Sequence, residues 1–566
     1  MAYRTEKDSL GEKRVPAEAY YGIQTQRAVE NYPISGYRAH PVLIRAIAMI
    51  KKAAAWVNQE LNLVDERRAG AIRQAAEEVM SGKLNGQFVV DVYQAGAGVS
   101  FHMNTNEVIA NRAIELLGGK RGDYSVVHPN DHVNFGQSTN DVFPTAMRLA
   151  AILLMDELLG EMERLNRAFA RKGQEFDGIL KSGRTHMQDA VPVRLGQEFA
   201  AYGVAILRAY EHVRHAQDGL RELGLGGTAV GTGVNTHPRY QTLVVQRLGE
   251  VSRQTLIPAR DMRWTMQSNL PLAVASSALR NYALELIRIS NDLRLLSSGP
   301  NTGMAEINLP ALQPGSSIMP GKINPVIPEL VAMVGFQAVG SDAATAMAVQ
   351  AGQLELNVMM PAMAWNVLHS AEILKNTTHQ FSAFCVQGIT VNKERCRRYA
   401  ESTVALATAL NPYIGYARAA ELAKLAVKTG RTITELALEK KLLHPNQLRQ
   451  ILDPRRMTEP AAPLEETREA KKPAARAAAR PKKRAAPRKK PVAKPKKRAK
   501  PKPKKKRARA ASKKRRARRP ATRRPARKKA ARKPSRKAKR KTRRPARKKI
   551  TRKPARKPKR KRKHRR

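Results

Sequence analysis

Four short segments concentrate side chains capable of chemistry. Gly315-Ser316-Ser317-Ile318-Met319-Pro320-Gly321-Lys322-Ile323-Asn324-Pro325 sets two hydroxyls, one cation and one amide among glycines and prolines. That composition describes a mobile loop with nucleophile-type groups beside an anion binder. Gln137-Ser138-Thr139-Asn140-Asp141 directly precedes a long apolar-periodic segment. Hydroxyls, an amide and free backbone N–H groups at a positive helix end would together receive a carboxylate there, with simple N-capping as the plainer alternative. Arg184-Thr185-His186-Met187-Gln188-Asp189 precedes a second such segment and supplies a titratable imidazole, although a lone histidine is more often structural. Asn104-Thr105-Asn106-Glu107 follows Gly96-Ala97-Gly98, a backbone able to approach a ligand closely. The four segments contain no metal-ligand cluster, no phosphate-cradling loop with its Lys, and no Ser-His-Asp order. What remains suits a small dicarboxylate, and proton removal next to a carboxylate, where hydrogen-bond donors stabilise the charge that develops.

Long helices must hold these segments in place. From about Pro144 to Lys172 the residues Ala150, Leu154, Leu158, Met162, Leu165 and Phe169 recur at helical spacing, with Gly173 at the end. A second stretch, about Leu195 to Leu223, carries Phe199, Gly203, Ile206, Tyr210 and Val213 on one face. A third, about Leu272 to Ser297, carries Leu279, Tyr282, Leu286, Ile289, Leu293 and Leu296 and stops at Gly299-Pro300. At 1.5 Å per residue such helices run to about 40 Å and should lie side by side as a bundle. A fourth, Val326 to Val349, is apolar on nearly every side, which predicts burial on every side. Other subunits satisfy that most easily, so a homo-oligomer built on a shared helical core is expected; a large monomeric all-α core is the alternative. Strand signals are weak throughout.

Composition divides the 566 residues sharply. Lys471 to Arg566 hold 55 Lys or Arg and no Asp or Glu, leaving 51 basic and 46 acidic side chains in the first 470 residues. The basic segment has no Phe, Tyr or Trp and cannot bury a core, so it is expected to be disordered alone. Fifty-five cations would bind DNA, RNA or another polyanion by counterion release, without sequence preference because no aromatic is present to stack on bases. The only cysteines, Cys385 and Cys396, exclude iron-sulfur and structural zinc chemistry. No apolar signal core and no stretch of about 18 uncharged apolar residues is present, so a soluble, reduced, cytoplasmic protein without a membrane span is expected, with nucleoid association through the tail.

The 315–325 segment resembles the signature of the aspartase/fumarase superfamily, and the resemblance continues over about residues 5–453. Within it, His132 and Thr139 resemble the aspartate ammonia-lyases where class II fumarases usually show Asp and Ser. The stretches Asn291 to Pro300 and Ala351 to Asn357 lean the same way, whereas His128-Pro129-Asn130 and Gly227 to Gly233 lean towards fumarase. The resemblance implies an all-α, three-domain subunit: residues 1–140 N-terminal, 141–395 the central bundle and 396–455 a small helical domain, before a disordered tail over 456–566. It implies a homotetramer whose active sites each draw on three subunits, no required cofactor, and activation by a divalent cation such as magnesium as an option. It also implies roles. Ser316 would take the proton from the β-carbon of L-aspartate on the way to fumarate, and Ser317, Ser138 and Thr139 would hold the β-carboxylate. Lys322, Asn324 and Thr185 would hold the α-carboxylate, Asn140 and His186 would meet the amino group, and Glu329 would pair with His186. Two positions depart from the pattern: Val99 stands where the family usually has a carboxylate-binding Thr, and His102 where it usually has Asn. A class II-type fumarate hydratase, or a nucleic-acid-associated tetrameric scaffold with a weakened lyase body, are the competing expectations. The tail itself resembles those of linker histones.

Overall fold

The structure, a computed structural model, describes residues 2–464. The basic tail expected over 456–566 falls for the most part outside the described residues.

Five long helices form the body: Thr139–Glu175, Leu195–Asp218, Leu270–Leu296, Val326–Gln350 and Met360–Phe384. Most of the expected helices are found with small shifts of their ends. The first departs most, starting at Thr139 rather than near Pro144. Ser138 and Asp141 form a capping box that fixes the earlier start and leaves Pro144 inside the helix. With 37 residues it spans about 56 Å. The second helix meets it closely, because a Cβ at Gly196 would collide with the Gly173 carbonyl. Phe169, Phe176, Phe199, Tyr202 and Phe381 lock these helices to the Met360–Phe384 helix through tilted and edge-on ring contacts with centroids 5.1 to 6.2 Å apart.

The Met360–Phe384 helix is absent from the sequence-based expectation. Its buried face includes Ser370, Thr377, Thr378 and Ser382, whose polarity breaks the apolar stripe. Thr378 hides its hydroxyl by bonding to the Leu374 carbonyl and the Tyr282 hydroxyl, both at 2.7 Å.

The Val326–Gln350 helix is found where it was expected. Within the subunit it buries only a stripe that includes Val331, Ala332, Gly335, Ala338, Thr345 and Ala348, where Gly335 admits Ile287 at close range. Met333, Phe336 and Met347 are each more than 60% exposed. This helix is the one among the described residues long and apolar enough to cross a membrane.

Around the body lie helices Pro41–Glu60 and Val99–Leu116, and a separate small core of Leu406, Leu410, Leu422, Ile433, Leu436, Leu448 and Ile451. Strands form only two-stranded ladders among the described residues, the longest being Tyr3–Asp8 with Gly11–Pro16 and Leu180–Thr185 with Gln188–Arg194. The second of these hairpins carries the candidate residues Thr185 and His186, and weak strand signals concealed the hairpin that presents them.

Candidate active site

Three clusters hold the candidate site residues, and each owes its form to a different local structure. At the start of the Thr139–Glu175 helix, Ser138 Oγ accepts from the Asn140 N–H, while the Ser138 N–H donates to Asp141 Oδ1 at 2.9 Å. Capping therefore uses the acceptor side of the Ser138 hydroxyl and leaves its proton to donate elsewhere. The other Asp141 oxygen accepts from the Gly226 and Thr228 N–H groups, both at 3.0 Å. Asn140 Nδ2 donates to the Ala229 carbonyl at 2.8 Å. The 226–229 segment is thereby tied to the helix start by side chains on either side of its first turn. Burial pushes the Asp141 carboxyl up to about 6, with the three backbone donors pulling the other way.

Thr139 is half-buried, and its Oγ1 lies 2.7 Å from His102 Nδ1. His102 Nε2 lies 2.6 Å from Lys51 Nζ, which also donates to Asn134 Oδ1 and Gln137 Oε1 at 2.9 Å each. His102 and Lys51 are fully buried, and burial pushes both well below their usual pKa ranges, with the neighbouring Lys51 adding to the effect on His102. Sequence reading missed Lys51. Its signal was helical phase, since Ile47, Ala48, Ala54 and Ala55 on the same helix are buried, while the adjacent Lys52 turns out to Glu77 at 2.7 Å.

The second cluster is the tip of the Leu180–Thr185 and Gln188–Arg194 hairpin. Thr185 pairs with Gln188, so His186 and Met187 form a two-residue turn with φ of 53° and 60°. Both lie in the left-handed region that Asn and Gly normally fill in such a turn, a strained conformation at an exposed position. The base of the hairpin is firmly held: Glu306, fully buried, takes Arg184 at 2.9 Å and Lys181 at 3.0 Å.

The third cluster is the 315–325 loop. Its neck is closed by the Gly315 N–H donating to the Lys322 carbonyl at 2.7 Å and by Asn324 Nδ2 donating to the Gly315 carbonyl at 2.6 Å. Ser316 Oγ accepts from the Ile318 N–H at 3.2 Å and the Met319 N–H at 2.9 Å. Ser317 and Lys322 are exposed, and Ile318 is 83% exposed. Lys322 and Asn324 line a cavity with Ser297, Pro300, Asn308 and Leu309. Glu329 follows in the first turn of the Val326–Gln350 helix.

Among the described residues no hydrogen bond or ion pair joins the three clusters within a subunit, and none joins His186 to Glu329. The fourth candidate segment is corrected outright. Asn104, Thr105, Asn106 and Glu107 lie inside the Val99–Leu116 helix and are buried, with Asn104 bonded to Val89 and Gln87 and Glu107 accepting from Gly22, Gln24 and Thr25. Their polarity serves the packing of the N-terminal region. Gly98, at φ 81°, is required because a Cβ would strike Phe143. Val99 opens that helix and is exposed. Among the described residues no cluster of three or more His, Cys, Asp or Glu could hold a metal ion.

Residues 11–340 match a family described as Lyase, and residues 406–459 match one described as Fumarase C C-terminus. The aspartate ammonia-lyase of Pseudomonas fluorescens is 49% identical over 462 residues, covering 81% of this chain and 97% of the relative. A class II fumarate hydratase of Halobacterium salinarum is 49% identical over 457 residues, with the same coverage. A fumarate lyase:delta crystallin structure from Brucella melitensis superposes with a TM-score of 0.78 at 47% identity, covering 81% of this chain and all of that one. A lyase-family match over most of the body, relatives covered almost end to end and a shared bundle leave one conclusion: the chain belongs to the aspartase/fumarase superfamily, on its aspartase side.

Proposed function

We propose that this chain removes ammonia from L-aspartate by the roles its three clusters are equipped for. The reaction is reversible: the β-carbon loses a proton, the β-carboxylate carries the charge as an enediolate, and the C–N bond breaks to give fumarate and ammonia. Ser316 is the base. A serine hydroxyl is a weak base in water, and the two backbone N–H groups aimed at Ser316 Oγ are the observation that carries this assignment, because they stabilise the alkoxide that must form. Ser138, Thr139 and Ser317 hold the β-carboxylate, where donors at a helix start meet the developing charge. Lys322, Asn324 and Thr185 hold the α-carboxylate, and Asn140 and His186 face the amino group. The substrate amine arrives as ammonium and leaves without a separate acid, whereas the hydroxyl of malate needs a proton donor to leave as water.

The separation of the clusters supports a homotetramer in which three subunits complete each site and Glu329 of one reaches His186 of another. The uncovered Met333, Phe336 and Met347 supply an apolar face for that assembly. Among the described residues no set of three or more His, Cys, Asp or Glu could hold a metal ion, and a divalent cation such as magnesium would act as an activator. Residues 471–566 would bind DNA, RNA or another polyanion nonspecifically, placing a cytoplasmic enzyme on the nucleoid. Ultraviolet detection of fumarate, in high salt to strip nucleic acid, tests the reading with L-aspartate against L-malate. Release from aspartate is expected; release from malate alone would move the chain to the hydratases.

A further inference from the structure

Behind Thr139 lies a chain of polar groups, Lys51 and His102 buried and Asn134 and Gln137 half-buried, that the roles above leave unused. Asn134 Nδ2 donates to the Gln137 carbonyl at 3.2 Å, and Gln137 Nε2 donates to the Val133 and Phe135 carbonyls at 3.1 and 3.3 Å. Both amides are thereby oriented with their oxygens towards Lys51. Lys51 Nζ thus faces two amide oxygens and His102 Nε2, three acceptors for the three N–H bonds of an ammonium. With Nε2 accepting, the imidazole proton sits on Nδ1, which faces Thr139 Oγ1 at 2.7 Å. Thr139 Oγ1 makes no other hydrogen bond among the described residues.

We propose that His102 is a positioning residue for the substrate carboxylate: accepting from Lys51 at Nε2 and donating from Nδ1 to Thr139 Oγ1, it leaves the Thr139 proton to donate to the ligand. A hydroxyl has one proton, and an N–H already directed at its oxygen forces that proton outward. Three acceptors around Lys51 Nζ favour its ammonium form, against the burial that lowers its pKa, and that form fixes Nε2 of His102 as an acceptor. The arrangement strengthens one carboxylate donor in a site where Val99 has removed another. The inference rests on the reading that Thr139 binds the β-carboxylate.

The test uses the full-length enzyme with L-aspartate as substrate and succinate, an unreactive C4 dicarboxylate, as competitive ligand. His102→Phe keeps the ring and removes both hydrogen bonds; it should raise KM for aspartate and Ki for succinate about tenfold, the effect of losing one charge-assisted hydrogen bond. His102→Gln offers an amide oxygen to Lys51 and an amide N–H to Thr139, and should hold both constants within about threefold of the wild type. Nitrogen-15 NMR of labelled histidine in the unmodified enzyme should show His102 neutral with its proton on Nδ1. A proton on Nε2, or an unchanged succinate Ki in His102→Phe, overturns the inference while leaving the ammonia-lyase reading intact. A wild type that releases no fumarate from aspartate sinks that reading and this inference with it. If His102→Phe fails to assemble, the tautomer alone decides.

Discussion

At the start of the Thr139–Glu175 helix each polar side chain from Ser138 to Asp141 already has a partner inside the subunit, whereas on the 315–325 loop Ser317 and Lys322 face solvent. The first region is a fixed wall held by packing, in which Lys51, His102 and Asp141 are ionisable groups kept dry by the bundle. The second is a closed-necked loop whose apolar Ile318, Met319 and Ile323 await cover. In the proposed reaction, orientation is supplied beforehand on one side, and the base would arrive from the other on closure of the loop. The hairpin tip with His186 lies between these extremes, strained and exposed but carried on a base anchored through buried Glu306.

The contrast is broken most severely at the loop. Ser316→Ala should lower kcat by about 10²–10⁴, the range for loss of a general acid–base group, and leave the affinity for succinate nearly unchanged. A variant that still turns over at a tenth of the wild-type rate would remove Ser316 from the base role.

In the fixed wall the expected effect is on stability. Burial raises Asp141 from 3.8 to about 6, so the folded subunit holds this proton more tightly than the unfolded chain does. The stabilisation from this group is complete below about pH 4 and is lost as pH rises through about 6, by up to about 3 kcal/mol. Asp141→Asn should flatten that part of the profile in urea titrations between pH 4 and 7; an unchanged slope would show that another group is responsible.

Val99→Thr puts a hydroxyl at the exposed start of the Val99–Leu116 helix, one turn before His102. It should raise kcat/KM on aspartate about tenfold, matching one hydrogen bond of about 1.5 kcal/mol to a charged ligand. A rate unchanged or lower would mean that His102 and Thr139 already saturate the carboxylate.

The smallest effect belongs to the hairpin tip. Relief of the left-handed strain at Met187 by Met187→Gly is partly offset by backbone entropy, leaving a gain of about 0.5 kcal/mol. Thermal unfolding would register it as a small rise in Tm, and a fall would show that the turn carries no strain.

Much of this architecture was legible in the residues themselves. Helical periodicity locates the long segments around 144–172, 195–223, 272–297 and 326–349, because an apolar stripe on one face of a helix records which side packs. It failed where burial and polarity coincide: the Ser- and Thr-lined face of Met360–Phe384 hides a core helix, and Asn104 to Glu107 imitate a binding segment while serving as buried clamps. The residue types and local order of the 137–141, 184–189 and 315–325 segments, and the anomalies Val99 and His102, are properties of the sequence alone, since each is a matter of neighbours along the chain.

Tertiary structure alone decided which of those groups touch. Lys51 is 51 residues from His102, and His102 is 37 from Thr139; only the packing of three helices brings them within 2.7 Å of one another in series. The direction of the hydrogen bonds follows from amides whose orientation is set by carbonyls in a turn. Sequence could supply the donors and acceptors, but a hydrogen bond depends on distances of tenths of an ångström between distant parts of the chain, and only the folded bundle fixes those.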